Sequence, residues 1–202
     1  MTDPTLPGRR ERKRQQLLDH LADTAWALFE ADGYEAVTME RIAAAADVAK
    51  ATLYKHFPVK EALLRHRFHR ELRLVWPVIQ AELAQLAPGR ERLAHFLARQ
   101  ADWCERQRAY LLHYVRHRLA TLDLLDDGRE RSGMDQIFTA LIADGQAAGA
   151  FRRDLPAAQL AIHFQFVHLA TLLRWLGGSG RPLDEEMTTM LDLTCNGLGV
   201  RP

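Results

Sequence analysis

The sequence predicts an all-α protein: a small N-terminal unit of three helices, then a larger helical body. Three observations predict it. Ala, Leu, Arg, Gln and Glu dominate the 202 residues, and these residues favour helix while long Val/Ile/Thr alternations are missing. Apolar residues recur at helical spacing from about residue 11 onward. Gly, Pro and Asp-Gly punctuation falls between those periodic segments. Composition narrows the class further. A chain that is 48% hydrophobic and 26% charged is ordinary for a globular protein, and one of this size buries roughly 70% of its unfolded surface without staples. Cys104 and Cys195 stand far apart and outside any CxxC, which excludes a disulfide scaffold or zinc ribbon and suits a reducing compartment.

The elements follow in order. Residues 1–10 hold Pro4, Pro7 and Gly8 and read as a disordered arm. The first helix is expected from Glu11 to Ala31, with Leu17, Leu18, Leu21, Ala25, Leu28 and Phe29 on one face and Gly33 as a left-handed C-cap. Thr38 is a good N-cap for a short helix over Met39–Ala45. Ala46-Asp47-Val48 forms a three-residue turn, and a second short helix runs from Ala49 to His56. Phe57-Pro58 stops it, and Pro58 suits the first turn of a long helix reaching toward Leu86, kinked or broken at Pro77. Beyond Pro88-Gly89, helical patterns cover about 90–107, 109–125 and 130–148, the last ended by Gly149. Asp154 as a possible cap and Pro156 open a helix of about 156–176. Gly177-Gly178-Ser179-Gly180 separates it from a final one of about 183–198. The expected boundary divides residues 1–58 from 59–202.

Two short helices joined by a three-residue turn are the geometry of a helix-turn-helix. Ile42, Ala43, Ala46, Val48, Leu53 and Phe57 can face inward. That leaves Lys50, Ala51, Thr52, Tyr54, Lys55 and His56 outward or at the edge. A small, basic and hydroxylic helix face is what a major-groove reader needs, since small residues allow close approach and Lys, Thr and Tyr reach bases or phosphates. Local charge agrees, although the net charge is only +1. Residues 1–16 hold Arg9, Arg10, Arg12, Lys13 and Arg14 against Asp3 and Glu11, and residues 48–60 hold Lys50, Lys55 and Lys60 with no acid. The competing reading is a three-helix packing unit with an ordinary solvated face.

The segment from Thr38 to Leu64, with Thr-x-x-x-Ile-Ala, a turn ending in Val48, and Thr-Leu-Tyr-x-His-Phe-x-x-Lys-x-x-Leu, resembles the DNA-binding signature of the TetR family of transcriptional repressors, the tetracycline-repressor-like regulators. With the first helix, the resemblance spans about residues 11–64. It implies that residues 1–58 form a DNA-binding helix-turn-helix domain with a basic N-terminal arm, and that residues 59–202 form a helical effector-binding and dimerisation domain. Carried over by position, Thr38 would bond a phosphate, Lys50, Ala51 and Thr52 would read base edges, and Tyr54 and His56 would contact the backbone. Lys60 would take a phosphate, and Lys55 would reach either base or phosphate. Charge alone adds Arg9, Arg10 and Arg12 as an arm that tracks phosphates or enters a minor groove. One departure stands out: Asp47 occupies the turn position where the family usually has Gly, and a left-handed conformation is expected there.

The resemblance also implies a homodimer through the last two helices, on a palindromic double-stranded operator. The candidate interface stripes are Leu160, Phe164, Val167, Thr171 and Trp175, and Met187, Met190, Leu191, Thr194 and Leu198; the alternative is that both stripes face the protomer's own core. An unknown small-molecule effector would sit in the body, with Phe96, Trp103, Tyr110, Tyr114, Phe138 and His168 as candidate lining residues, each also readable as plain core. No cofactor, metal or membrane partner is expected. His113 and His117, and His66 and His69, share helix faces but lack the further ligands zinc needs. No GxSxG, P-loop or HExxH pattern points to an enzyme. The stretch Leu155–Leu176, interrupted by His163, Gln165, His168 and Arg174, is too polar to span a bilayer, and no targeting signal is legible, so a cytoplasmic location is expected. The expected function is a dimeric, sequence-specific transcriptional regulator, a repressor released by a small molecule. The rivals are a DNA-binding architectural protein without an effector, and an all-helical carrier or enzyme whose helix-turn-helix is incidental.

Overall fold

The computed structural model describes residues 8–120 and 133–197. They form the helices α1 (Arg9–Asp32), α2 (Met39–Ala45), α3 (Lys50–His56), α4 (Lys60–Ala84), α5 (Arg90–Arg106), α6 (Arg108–Ala120), α7 (Met134–Ala147), α8 (Ala157–Leu176) and α9 (Leu183–Asn196). The chain is all-α, as the sequence predicts, and no strand occurs among the described residues. They pack as two units, one of residues 8–74 and 113–120, the other of 75–112 and 133–197. Helices α4 and α6 contribute to both.

In the first unit, α1 buries Leu18, Leu21, Ala22, Ala25, Trp26 and Phe29, spacing that puts one stripe against the core. Leu17 and Leu28, expected on that face, lie only half-buried at its edges. The helix begins at Arg9, so Arg9, Arg10 and Arg12 are helical side chains rather than part of a flexible arm. It ends at Gly33, whose N–H donates to the Phe29 carbonyl at 3.0 Å. Gly33 has the expected positive φ of 83° with an extended ψ of 149°, so the chain leaves the helix outward instead of curling back in a left-handed cap. The first part of α4 is held to α1 by apolar and ionic contacts that sequence periodicity does not reveal. The Trp26 and Phe68 rings meet edge-on at 6.2 Å, His66 lies 2.7 Å from Asp19, and Arg67 pairs with Asp23 at 3.0 Å. Arg70 also pairs with Asp23. From α6, Tyr114 packs against Phe68 at 5.4 Å and His69 reaches the Tyr114 hydroxyl at 3.3 Å.

Helix α4 starts at Lys60, two residues after Pro58, and runs through Pro77 without a break. Pro77 removes the N–H that would bond the carbonyl of Arg73. Both residues are exposed, so water can take that carbonyl.

In the second unit, α7 packs on α8, α8 on α9, and α5 on both α7 and α9. Phe96, Phe138, Leu93, Leu97, Leu183 and Met187 are among its fully buried side chains, each contributing about 1.5–3 kcal/mol by burial. The start of α5 approaches the end of α7 closely. A Cβ on Gly145 would lie 2.3 Å from the Phe151 ring, so only glycine leaves room for that ring. Gly149 ends α7 with a φ of +77°. Pro156 is the N-cap of α8, and Asp154 pairs with Arg152 instead of capping. The expected end of the sixth helix and start of the seventh fall in residues 121–132, outside the described residues; Leu198 also lies outside them.

Candidate nucleic-acid interface

Local chemistry sets the entry to α2. The Thr38 hydroxyl accepts a hydrogen bond from the Arg41 N–H at 3.2 Å, the N-cap the sequence predicts. Arg41 pairs with Asp32 at 2.6 Å, tying α2 to the end of α1. The His20 ring nitrogen sits 3.2 Å from the Ala46 carbonyl and fixes the other end of α2. Neither tie is legible in the sequence, because both bring together residues distant in the chain.

The turn between α2 and α3 is closed by the Val48 N–H donating to the Ala43 carbonyl at 3.0 Å. Asp47 takes a φ of 53°, the one positive φ among the described non-glycine residues. Ile42, Ala43, Ala46, Leu53 and Phe57 are buried and Val48 is half-buried. Lys50, Ala51, Tyr54 and Lys55 are exposed, with Thr52 and His56 at the edge. Burying Leu53 and Phe57 therefore turns the face of α3 outward.

Two side chains carry ties that the sequence does not show. The Tyr54 hydroxyl donates to the Glu40 carboxylate at 3.0 Å, which raises the Tyr54 pKa. The backbone N–H of Glu40, then the Tyr54 hydroxyl, hold the Glu40 carboxyl below the usual range, so a full negative charge stands beside α3. Lys60 is half-buried, donates to the Tyr34 carbonyl at 2.7 Å and lies 4.3 Å from the centre of that ring. The sequence assigns Lys60 only a phosphate, whereas the structure also makes it a brace for the α1–α2 connection. Tyr34 in turn stacks on His113 from α6, with ring centres 4.1 Å apart. His113 also lies 3.6 Å from Glu35.

The candidate effector residues divide between the units. Tyr114 belongs to the first. Phe96, Trp103, Tyr110, Phe138 and His168 belong to the second, where Phe138 sits between Phe96 at 5.8 Å, Phe164 at 4.9 Å and His168 at 5.4 Å. His168 is buried and pairs with Gln100 at 2.8 Å, and burial pushes its pKa down to about 4. The pairing of His168 with Gln100 is not legible in the sequence, because a polar residue on a mixed face gives no sign of its partner.

The candidate dimer residues divide too. Phe164, Trp175, Met187, Met190 and Leu191 are buried within the unit, Leu160 and Thr171 are half-buried, and Val167 and Thr194 are exposed. The apolar side chains that α8 leaves exposed are Ile162, Phe166 and Val167, and α9 adds Leu193. Of the α8 stripe read off the sequence, Val167 belongs to this exposed set. Cys104 is buried, and burial pushes its thiol up to about 12. Among the described residues no helix is long and apolar enough to cross a membrane.

Residues 21–66 match the family of bacterial regulatory proteins of the tetR type. The regulator TcmR of Streptomyces glaucescens is 45% identical over 58 residues, which are 29% of this chain and 26% of that protein. The chain thus spans about a quarter of TcmR, and 41% of an uncharacterised Mycobacterium tuberculosis regulator that it matches at 34% identity. The repressor KstR of Mycolicibacterium smegmatis is 28% identical over 92% of this chain and 86% of its own length. In structure, the chain resembles the TetR-family repressor FadR of Thermus thermophilus, solved with lauroyl-CoA, at a TM-score of 0.79 and 25% identity over 92% of this chain and 96% of that one.

Proposed function

We propose that this chain, which belongs to the TetR family of transcriptional regulators, is a dimeric repressor that reads a palindromic DNA operator and is released by a small-molecule effector. One observation carries the DNA reading. Burial of Leu53 and Phe57 leaves Lys50, Ala51, Thr52, Tyr54 and Lys55 on one accessible face, small enough to enter a major groove and basic enough to hold its edges. Thr38, at the N-terminus of α2, would meet a phosphate, as helix N-termini favour anions. Lys50, Ala51 and Thr52 would face bases, and Tyr54, Lys55, His56 and Lys60 would face the backbone.

A single short helix makes too few contacts for tight sequence-specific binding, and a two-fold pair reading half-sites about 34–36 Å apart answers this. The exposed Ile162, Phe166 and Val167 on α8 supply an apolar surface for the second copy. The effector we propose is an acyl-CoA thioester. Likeness to a repressor solved with lauroyl-CoA supports this, as does the phenylalanine cluster around Phe138 with one neutral polar pair, His168 and Gln100. Helix α4 begins beside α3 and continues into the second unit, so a ligand-linked shift of α4 would move the recognition helices off successive grooves. Coupling of ~1–3 kcal/mol, or 5–150-fold, suffices for such a switch.

The test is selection of bound sequences from a random duplex pool at near-physiological salt, followed by titration of the complex with lauroyl-CoA. A palindrome with half-sites about one helical turn apart, released by the thioester, is expected. Absence of enrichment, with binding that vanishes as salt rises, would leave only non-specific electrostatics and move the carrier reading forward. A palindrome unaffected by the thioester would retire the acyl-CoA class alone.

A further inference from the structure

The first two turns of α1 are built against the rules of helix stability. Their six residues, Arg9 to Arg14, hold five cations and one acid, and all are exposed. A helix N-terminus favours acids, because its open N–H groups carry partial positive charge. Here the N-cap is Gly8, with no side-chain cap. Arg9 and Lys13, and Arg10 and Arg14, are like charges four residues apart, a spacing that destabilises a helix. The one acid, Glu11, is taken by Arg14, at 2.8 Å. Neither Arg10 nor Lys13 has an ion-pair partner among the described residues. No residue before Leu18 is buried, so packing does not explain these turns either. Local choices that conflict with the element they sit in mark functional sites.

The charges are not scattered. Arg10, Glu11, Lys13 and Arg14 line a groove whose other wall is Lys55 and His56, at the C-terminal end of α3. The groove is open to solvent, and its α3 wall is the C-terminal end of the helix that carries Lys50 and Thr52. We propose that it is a phosphate seat: it holds the DNA backbone flanking the major groove read by α3, with Arg10 and Lys13 of α1 and Lys55 of α3 bracketing the strand. An anion there neutralises the like charges of α1 and the helix terminus together, which no residue of the described chain does. The seat rests on the DNA-binding reading; it keeps Arg10, which charge alone offers as a phosphate contact, gives it a fixed helical position, and adds Lys13, both from a helix outside the helix-turn-helix signature. Because such contacts meet phosphate only, they add affinity without reading sequence.

The experiment uses the full chain and two duplexes: a 40-base-pair random-sequence duplex, and the palindrome recovered by selection with about ten flanking base pairs on each side. Affinity is measured across a salt series for the unaltered chain and for the double variant Arg10→Gln, Lys13→Gln. Removing a cation that neutralises one phosphate of B-DNA lowers the magnitude of the slope of log affinity against log salt by about 0.9. The variant is expected to lose about 1.8 per protomer in slope and more than tenfold in affinity on both duplexes, with unchanged base preference. Its melting temperature should hold or rise, because two like-charge pairs are removed. Trimming the palindrome to its half-site edges should erase most of the difference between the two proteins. An unchanged slope in the variant, while the unaltered chain binds, overturns the seat and leaves the DNA reading standing. If the unaltered chain binds neither duplex, the DNA reading fails and the seat with it.

Discussion

At the residue scale, Asp47 shows how one position can be read from sequence. A turn of this length between two helices demands a left-handed residue, and Asp47 takes a φ of 53°. A β-branched residue there would be a steric outlier. Asp47→Val is expected to lose about 1–2 kcal/mol, while Asp47→Gly should be neutral or stabilising; urea midpoints check both. Lys60 shows the limit of the same reasoning. Its spacing suggests a phosphate contact, but its Nζ bonds to the Tyr34 carbonyl, a partner that no local pattern reveals. Lys60→Ala is therefore expected to lower stability and weaken binding to all DNA sequences together, whereas Lys50→Ala should cost ~1–3 kcal/mol at one position of each half-site. Equal effects of both changes on every sequence would contradict that division.

At the scale of elements, the helices α1, α2 and α3 follow from caps, breakers and 3.6-residue spacing, and their bounds fall within two residues of those expected. Of the kink or break expected at Pro77, the break does not occur: the helix continues through the proline. Proline removes one hydrogen bond, yet a solvent-facing position lets water replace it, and exposure is not written in the local sequence. Pro77→Ala restores that bond and is expected to raise stability by ~1–3 kcal/mol. A lower melting temperature would show instead that the packing needs the proline's geometry.

For the whole molecule, two buried histidines set the acid limit. Burial, ahead of the nearby Arg65, Arg118 and Arg73, pushes His69 down to about 3, and burial alone pushes His168 down to about 4. Unfolding restores an ordinary value near 6.5, so between those pKa values the unfolded chain binds more protons. Stability is then full above about pH 6.5 and falls as pH drops toward 4 or 3. For His168 the loss by pH 5 is ~2 kcal/mol, and His168→Gln should flatten that part of the profile in urea unfolding. The outward stripe of α8 gives the assembly test. Phe166 is 47% exposed, so Phe166→Glu should fold normally, sediment as a monomer and lose more than tenfold in operator affinity. A dimer that persists would place the interface elsewhere.

By itself, the sequence determined the helical class, the helix-turn-helix and the outward face of α3. Each depends on contacts within a few residues, where periodicity, caps and turn conformation decide the outcome. Only the tertiary structure decided the rest. It placed His20 on the Ala46 carbonyl, Lys60 on Tyr34 and His168 on Gln100, and it drew Arg10 and Lys13 beside Lys55. It also turned Phe164 and Trp175 into the core of their unit while leaving Phe166 outside. Helical spacing fixes which residues share a stripe. Which stripe is buried depends on where neighbouring helices pack, and that is set by the summed shape and apolar area of the whole fold.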